Sequence, residues 1–228
     1  RHDHEERTRG EVRQRAIVEE RERIARELHD GLAQLLGYVN TKAMAARLLL
    51  QQNKTEAAAE HLLRLEEAAR QLYVDVREAI LGLRLMSNPS EGLAAMLEQY
   101  IERFSHLSGL PVQVAASREA RAAALDPESE VQVLRIVQEA LANARKHARA
   151  SSVSVTLSRS NGMLEVAVRD DGRGFDVENA HAHNHRPHFG LSTMRERADA
   201  IHADFSIQSA PNAGTQVIVR LPVPKGSP

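Results

Sequence analysis

The chain has 228 residues, enough for one large domain or two small ones. Apolar residues make up 42% and charged residues 27%, a balance that supplies a packed core under a charged surface. A net charge of −1 argues against a nucleic-acid binder, and the absence of cysteine excludes disulfides, thiol chemistry and Cys-based zinc sites. No run approaches the roughly 20 apolar residues of a membrane-spanning helix, and no signal peptide is visible. The first residue is Arg1 rather than methionine, which points to a piece of a longer protein. Any membrane segment would then lie upstream, with this piece in the cytoplasm.

Residues 1 to about 86 read as helix, with no proline before Pro89 and only Gly10, Gly31, Gly37 and Gly82 as glycines. Ile17, Ile24, Leu28, Leu32, Leu35 and Val39 recur mostly at three- and four-residue intervals, and Asn53-Lys54-Thr55 offers a turn. Beyond it Leu62, Leu65, Ala69, Leu72, Val76, Ile80 and Leu83 form a coiled-coil-like seam. Two such helices make an antiparallel hairpin, and pairing with a second copy as a homodimeric four-helix bundle covers the remaining apolar surface. Ser87 to Gly92 is a breaker cluster, so the expected domains are 1–88 and 89–228.

After the break the period changes. Leu93 to Leu107 reads as helix, Pro111 to Ala115 as a short strand, and Pro127 opens a helix running to about His147. Val153, Val155 and Leu157, then Leu164, Val166 and Val168, alternate with polar residues as two strands joined near Asn161-Gly162. A polar loop over roughly 171–189 leads into a helix from Leu191 to His202, and strands around Phe205–Ser209 and Thr215–Leu221 end the chain. Short strand-to-strand connections imply a mixed sheet in a two-layer α+β sandwich. There is no internal repeat.

Three groups of residues carry chemistry. On the first helix, Leu28 belongs to the seam, so His29 is turned about 100° away from it toward solvent, where an imidazole can act as a nucleophile. Asp30 can hold one ring nitrogen, Gln34 lies one turn beyond Asp30 and can orient a water, and Arg26 can screen phosphate charge. In the second half, Glu139, Asn143, Lys146 and His147 share a face by their spacing. A neutral amide oxygen beside a carboxylate suits Mg²⁺, and Lys146 can meet phosphate. Asp170-Asp171-Gly172-Arg173-Gly174 ends a strand, with a carboxylate able to accept from an adenine amine and glycines that admit close backbone approach. Gly190 opens a helix, a favoured place for anions, and Thr215 offers a small hydroxyl for a water-bridged contact.

The string Glu20 to Asp30, with Gln34, closely resembles the phosphoacceptor box of the nitrate/nitrite-sensor class of two-component histidine kinases. The second half resembles the N, G1 and G2 boxes of the ATPase fold shared by histidine kinases, gyrase-type topoisomerases, Hsp90 chaperones and MutL repair proteins. The resemblance implies ATP-dependent phosphorylation of His29, with Asp30 assisting and Gln34 supporting dephosphorylation of the partner. It implies Asn143 as Mg²⁺ ligand, Glu139 at the metal-water position, Lys146 at a phosphate position and His147 in the same nucleotide-binding box. It further implies Asp170 as the adenine-reading carboxylate, Gly172, Gly174 and Gly190 as backbone-approach glycines, and Thr215 as the water-bridged contact. The implied partners are a second copy and the aspartate of a response-regulator receiver domain. Residues 178–188 read as a lid over the nucleotide, with transition-metal binding by its imidazoles as an alternative. Rival readings are an ATPase or serine kinase of the same nucleotide fold, or a non-catalytic dimeric scaffold.

Overall fold

The computed structural model of the protein describes residues 2–87, 92–177 and 189–223. Residues 88–91 of the breaker cluster and the expected lid 178–188 lie outside the described residues. The chain divides into two compact units, Val18–Leu83 and Arg84–Pro228 together with Arg1–Ile17.

The first unit is a helical hairpin. Helix α1 spans His2–Gln51 and α2 spans Thr55–Ser87. Asn53 takes the left-handed conformation at φ 58°, and the Lys54 N–H returns to Leu49 O at 2.9 Å, which closes the end of α1. Ala46 and Ala58 flank this turn and are fully buried, as small residues must be where two helices converge.

The expected seam of α2 proves to be two stripes. Ala58, His61, Leu65, Ala68, Leu72, Asp75 and Ala79 are buried or half-buried, at alternating steps of three and four. Leu62, Ala69, Tyr73 and Ile80 form a second, exposed stripe. On α1, Leu35 and Val39 are half-buried while Leu32, Leu36, Met44 and Leu48 are exposed. One hairpin covers only one side of each helix, so a single seam read from sequence merges an inner face with an outer one. The side chains of Ile17, Ile24, Leu28 and Leu83 lie outside the described residues.

The second unit is a sheet with helices packed against it. After α3 (Leu93–Ser108) come β1 (Val112–Ala116), a short α4 (Arg118–Arg121), α5 (Pro127–Asn143), β2 (Val153–Ser160), β3 (Met163–Asp170), α6 (Phe189–Ala200), β4 (Asp204–Ser209) and β5 (Thr215–Pro222). Strand order is β1-β2-β3-β5-β4, with β1 parallel to β2 and every other pair antiparallel, the mixed sheet that short connections predict. The α5 start follows from its cap: the Asp126 carboxylate accepts the Ser129 N–H at 2.8 Å, with Pro127 in the first turn. Val155, Val168 and Val217 sit across from one another on one face with Leu157, Val166 and Val219, all buried. The other face carries exposed Thr156, Arg169 and Arg220 beside buried Ala167 and Ile218, so it is mixed rather than uniformly apolar.

Two features depart from the sequence expectation. Helix α4 was not anticipated, although Ser117 caps it by accepting the Ala120 N–H at 3.1 Å. The helix expected to run to His147 ends as α-helix at Asn143 and widens into a π turn, Ala144–Ala148, before Arg149 at φ 53°. The Ala148 carbonyl accepts the Arg173 N–H at 2.8 Å, a tertiary demand on the last turn that helical periodicity does not contain.

Gly162 and Gly214 both have positive φ, at 78° and 72°, but differ in surroundings. A Cβ on Gly162 would meet nothing within 4 Å, whereas one on Gly214 would overlap the Asp170 carbonyl oxygen. Gly162→Ala therefore costs about 1 kcal/mol from backbone strain alone. Gly214→Ala costs clearly more, and denaturant melts of the two variants measure the difference.

Candidate active site

Strand register builds one half of the site. Asp170 ends β3 and pairs with Thr215 at the start of β5, which pairs in turn with Ser209 at the end of β4. Paired residues share a face, so the three project together from the side of the sheet that carries the buried valines. Asp170 is buried, its Oδ1 accepts the Gly172 N–H at 2.8 Å, and the amide and hydroxyl of Thr215 also hydrogen-bond its carboxylate. Burial pushes the Asp170 carboxyl up from its ordinary value, and the neighbouring Asp171 charge adds to the rise against those hydrogen bonds. Asp171 is the opposite case. Its carboxylate accepts the Ser152 N–H at 3.0 Å, the Ser151 N–H at 2.7 Å and the Ser152 hydroxyl at 3.0 Å, which lowers its pKa.

The glycines here are places where backbone meets backbone. A Cβ on Gly172 would overlap the Ala148 carbonyl, and one on Gly174 would overlap the carbonyls of Ala210 and Gly214. The loop after β3 is thereby pressed between the π turn and the β4–β5 turn, and the Asn212 N–H donates to Arg173 O at 2.6 Å.

The other half lies on α5 and the start of α6. Asn143 Nδ2 donates to Glu139 Oε1 at 3.3 Å, one helical turn apart. Gly190 sits directly against this pair, since a Cβ there would overlap Glu139 Oε1 and stand 3.2 Å from Asn143 Nδ2. The structure thus brings Glu139, Asn143 and Gly190 into one cluster and Asp170, Gly172, Gly174 and Thr215 into another, joined where Gly172 meets the end of the π turn. Lys146 and His147 are exposed on that turn. In the hairpin, His29 and Gln34 are exposed, as the seam argument requires, and the Asp30 side chain lies outside the described residues.

Sequence reasoning missed Ser209, Asp171 and Ala148. The doubled acid at 170–171 was a visible signal for the second, but Ser209 and Ala148 enter only through tertiary contacts. Among the described residues no group of three or more His, Cys, Asp or Glu could hold a metal, and no helix is long and apolar enough to cross a membrane.

Residues 20–88 match the family described as histidine kinase, and residues 128–225 match the histidine kinase-, DNA gyrase B-, and HSP90-like ATPase family. The chain is 34% identical over 207 residues to an uncharacterized sensor-like histidine kinase of Chloroflexus aurantiacus, covering 90% of this chain and 34% of that protein. It is 30% identical over 208 residues to the signal transduction histidine-protein kinase/phosphatase DegS of Brevibacillus brevis, covering 91% and 52%. It is 34% identical over 206 residues to the nitrate/nitrite sensor protein NarX of Escherichia coli K12, covering 89% and 33%. The chain therefore spans about a third to a half of the length of these relatives. The histidine kinase domain of the blue-light activated kinase of Erythrobacter litoralis EL346 shares the fold, with a TM-score of 0.50 at 20% identity over 89% of this chain and 94% of that one. An exposed histidine in a histidine kinase region, followed by an ATPase sheet with its acidic glycine loop, places this chain among the sensor histidine kinases of the nitrate/nitrite-sensor class.

Proposed function

We propose that this chain is the cytoplasmic catalytic core of a sensor histidine kinase that phosphorylates His29 from ATP and Mg²⁺. The observation that carries this reading is the convergence of Glu139, Asn143 and Gly190 beside the Asp170–Thr215 row, in a chain whose hairpin exposes His29. Asp170 accepts from the adenine amine, and Thr215 contacts the base. Gly172 and Gly174 let the loop backbone approach the nucleotide, while Lys146, His147 and Gly190 serve its phosphates.

The residues on α5 fit a magnesium ion. Asn143 commits its amide nitrogen to Glu139, which orients its neutral carbonyl oxygen as a ligand atom for a hard cation. Bound there, Mg²⁺ would neutralise charge on the phosphate oxygens. A ring nitrogen of His29 forms the new bond to the γ-phosphorus as the bond to the ADP oxygen breaks, and catalysis is mostly positioning. Asp30 assists from the next position, and Gln34 serves the reverse role, orienting water for dephosphorylation of the partner.

The phosphoryl group then passes to an aspartate of a response-regulator receiver domain. We assign dimerisation and phosphotransfer to residues 1–88 and nucleotide binding to 89–228. The hairpin works as a homodimer because the stripe of Leu62, Tyr73 and Ile80, 50%, 59% and 42% exposed, is left uncovered among the described residues.

Three outcomes are expected. Radiolabel from γ-labelled ATP enters wild-type protein as an acid-labile, base-stable adduct, disappears in His29→Gln, and falls more than about 100-fold in Asn143→Ala, beyond the usual loss from an outer-shell partner. The Leu36→Glu, Leu62→Glu double variant sediments as a monomer where wild type sediments as a dimer, because each change puts charge on an apolar stripe. Asp170→Asn loses ATP binding yet melts higher than wild type at pH 7. The sign follows from the raised carboxyl: the folded state holds that proton more tightly, so stability falls as pH rises through the folded pKa. The stability gap between variant and wild type therefore narrows as pH falls through the raised folded pKa and is closed below the unfolded carboxylate range, and melts across pH measure it.

A further inference from the structure

The Ser209 hydroxyl stands where three backbone segments meet. It accepts the Phe175 N–H at 2.9 Å, lies 2.9 Å from the Gly214 carbonyl oxygen, and lies 3.1 Å from Thr215 Oγ1. A serine hydroxyl has one proton and two lone pairs. The Phe175 amide occupies one lone pair. The Gly214 carbonyl can only accept, so it competes with Thr215 Oγ1 for the single Ser209 proton. Thr215 also has one proton, and the Asp170 carboxylate draws on it. When Thr215 donates to Asp170, its oxygen is left to accept, and Ser209 is the donor within reach. The result is a chain of hydroxyls that ends on the buried carboxylate and is anchored at its far end by a loop amide.

We propose that Ser209 is a positioning residue for the nucleotide base. Through Thr215 it orients the hydroxyl and carboxylate that read the base, and through Phe175 it holds the glycine loop against the β4–β5 turn. The proposal rests on the assignment of Asp170 and Thr215 as base-reading groups. Glu139, Asn143 and Gly190 stand on α5 and α6, so loss of the Ser209 hydroxyl acts on nucleotide affinity rather than on the transfer step.

The test uses the whole chain, with ATP affinity by calorimetry and autophosphorylation kinetics for wild type, Ser209→Ala, Ser209→Thr, Thr215→Val, Asp170→Asn and the Ser209→Ala, Thr215→Val double variant. Ser209→Ala weakens ATP binding about tenfold, roughly one lost hydrogen bond, and raises KM in proportion while kcat at saturating ATP stays within about twofold. Ser209→Thr keeps a hydroxyl and recovers most of the affinity. The double variant binds little worse than Thr215→Val alone, the non-additivity expected when one residue acts through another. Additive losses, unchanged affinity in Ser209→Ala, or a fall in kcat with a lowered melting temperature each overturn the positioning role. If Asp170→Asn and Thr215→Val bind ATP as wild type does, the base-reading assignment itself fails and takes the proposal with it. If those two weaken binding and Ser209→Ala does not, only the proposal fails.

Discussion

Backbone segments meet at one end of the sheet more closely than any side chain would allow, and the geometry of the proposed nucleotide site depends on that approach. Gly214 packs on the Asp170 carbonyl, Gly174 on the carbonyls of Ala210 and Gly214, and Gly172 on Ala148. A Cβ at Gly214 would force β5 away from β3 at the position where Thr215 has to reach Asp170. A Cβ at Gly174 would lift the loop off the β4–β5 turn and carry away the Phe175 amide that Ser209 holds. These contacts run in series from the end of α5 to β3, so the side chains inherit their positions from backbone that is locked on several sides.

That locked backbone supports a group with an unfavourable setting. Asp170 is buried beside a second carboxylate, and its charge is opposed by desolvation and by Asp171. The hydrogen bonds from Gly172 and Thr215 offset part of this without removing it. Asp171 avoids the same fate because it faces solvent and caps the amides of Ser151 and Ser152. The doublet thus divides its work, one acid fastening the start of β2 to the end of β3, the other kept desolvated, where the proposed hydrogen bond to a base would be stronger. A sheet centre bounded on both sides by paired strands can carry such a group because its neighbours hold the register.

Much of this was legible in the residues. The hairpin turn at Asn53, the Pro127 helix start and the Asn161-Gly162 connection are local events, written in a few adjacent positions. So were Asn143, Glu139 and Asp170, because a helical repeat and a strand end place them without knowledge of the rest of the fold. What could not be read came from afar. The π turn answers a carbonyl demand from Arg173, twenty-five positions beyond Ala148. Ser209 looks like any strand-end serine until β4 is laid beside β5. The double stripe of α2 was hidden because apolar spacing shows which positions seek cover but not whether α1 or another surface provides it.

The two units satisfy their apolar surface in different ways, and this bears on how the protein responds to dilution. The sheet unit buries Leu97, Phe104, Leu134, Leu141 and Val155 within its own chain, and the residues of the proposed nucleotide site all lie in that unit. The hairpin leaves Leu36 and Leu63 about two-thirds exposed, at 66% and 65%, a poor final state for leucines on a stable helix. If a second hairpin covers them as proposed, the scaffold that presents His29 is complete only in the associated form. Nucleotide binding then follows the folding of a single chain, whereas phosphoryl transfer follows both folding and association. Control exerted through that association would act on the packing of the helices that carry His29 and leave the proposed nucleotide site intact.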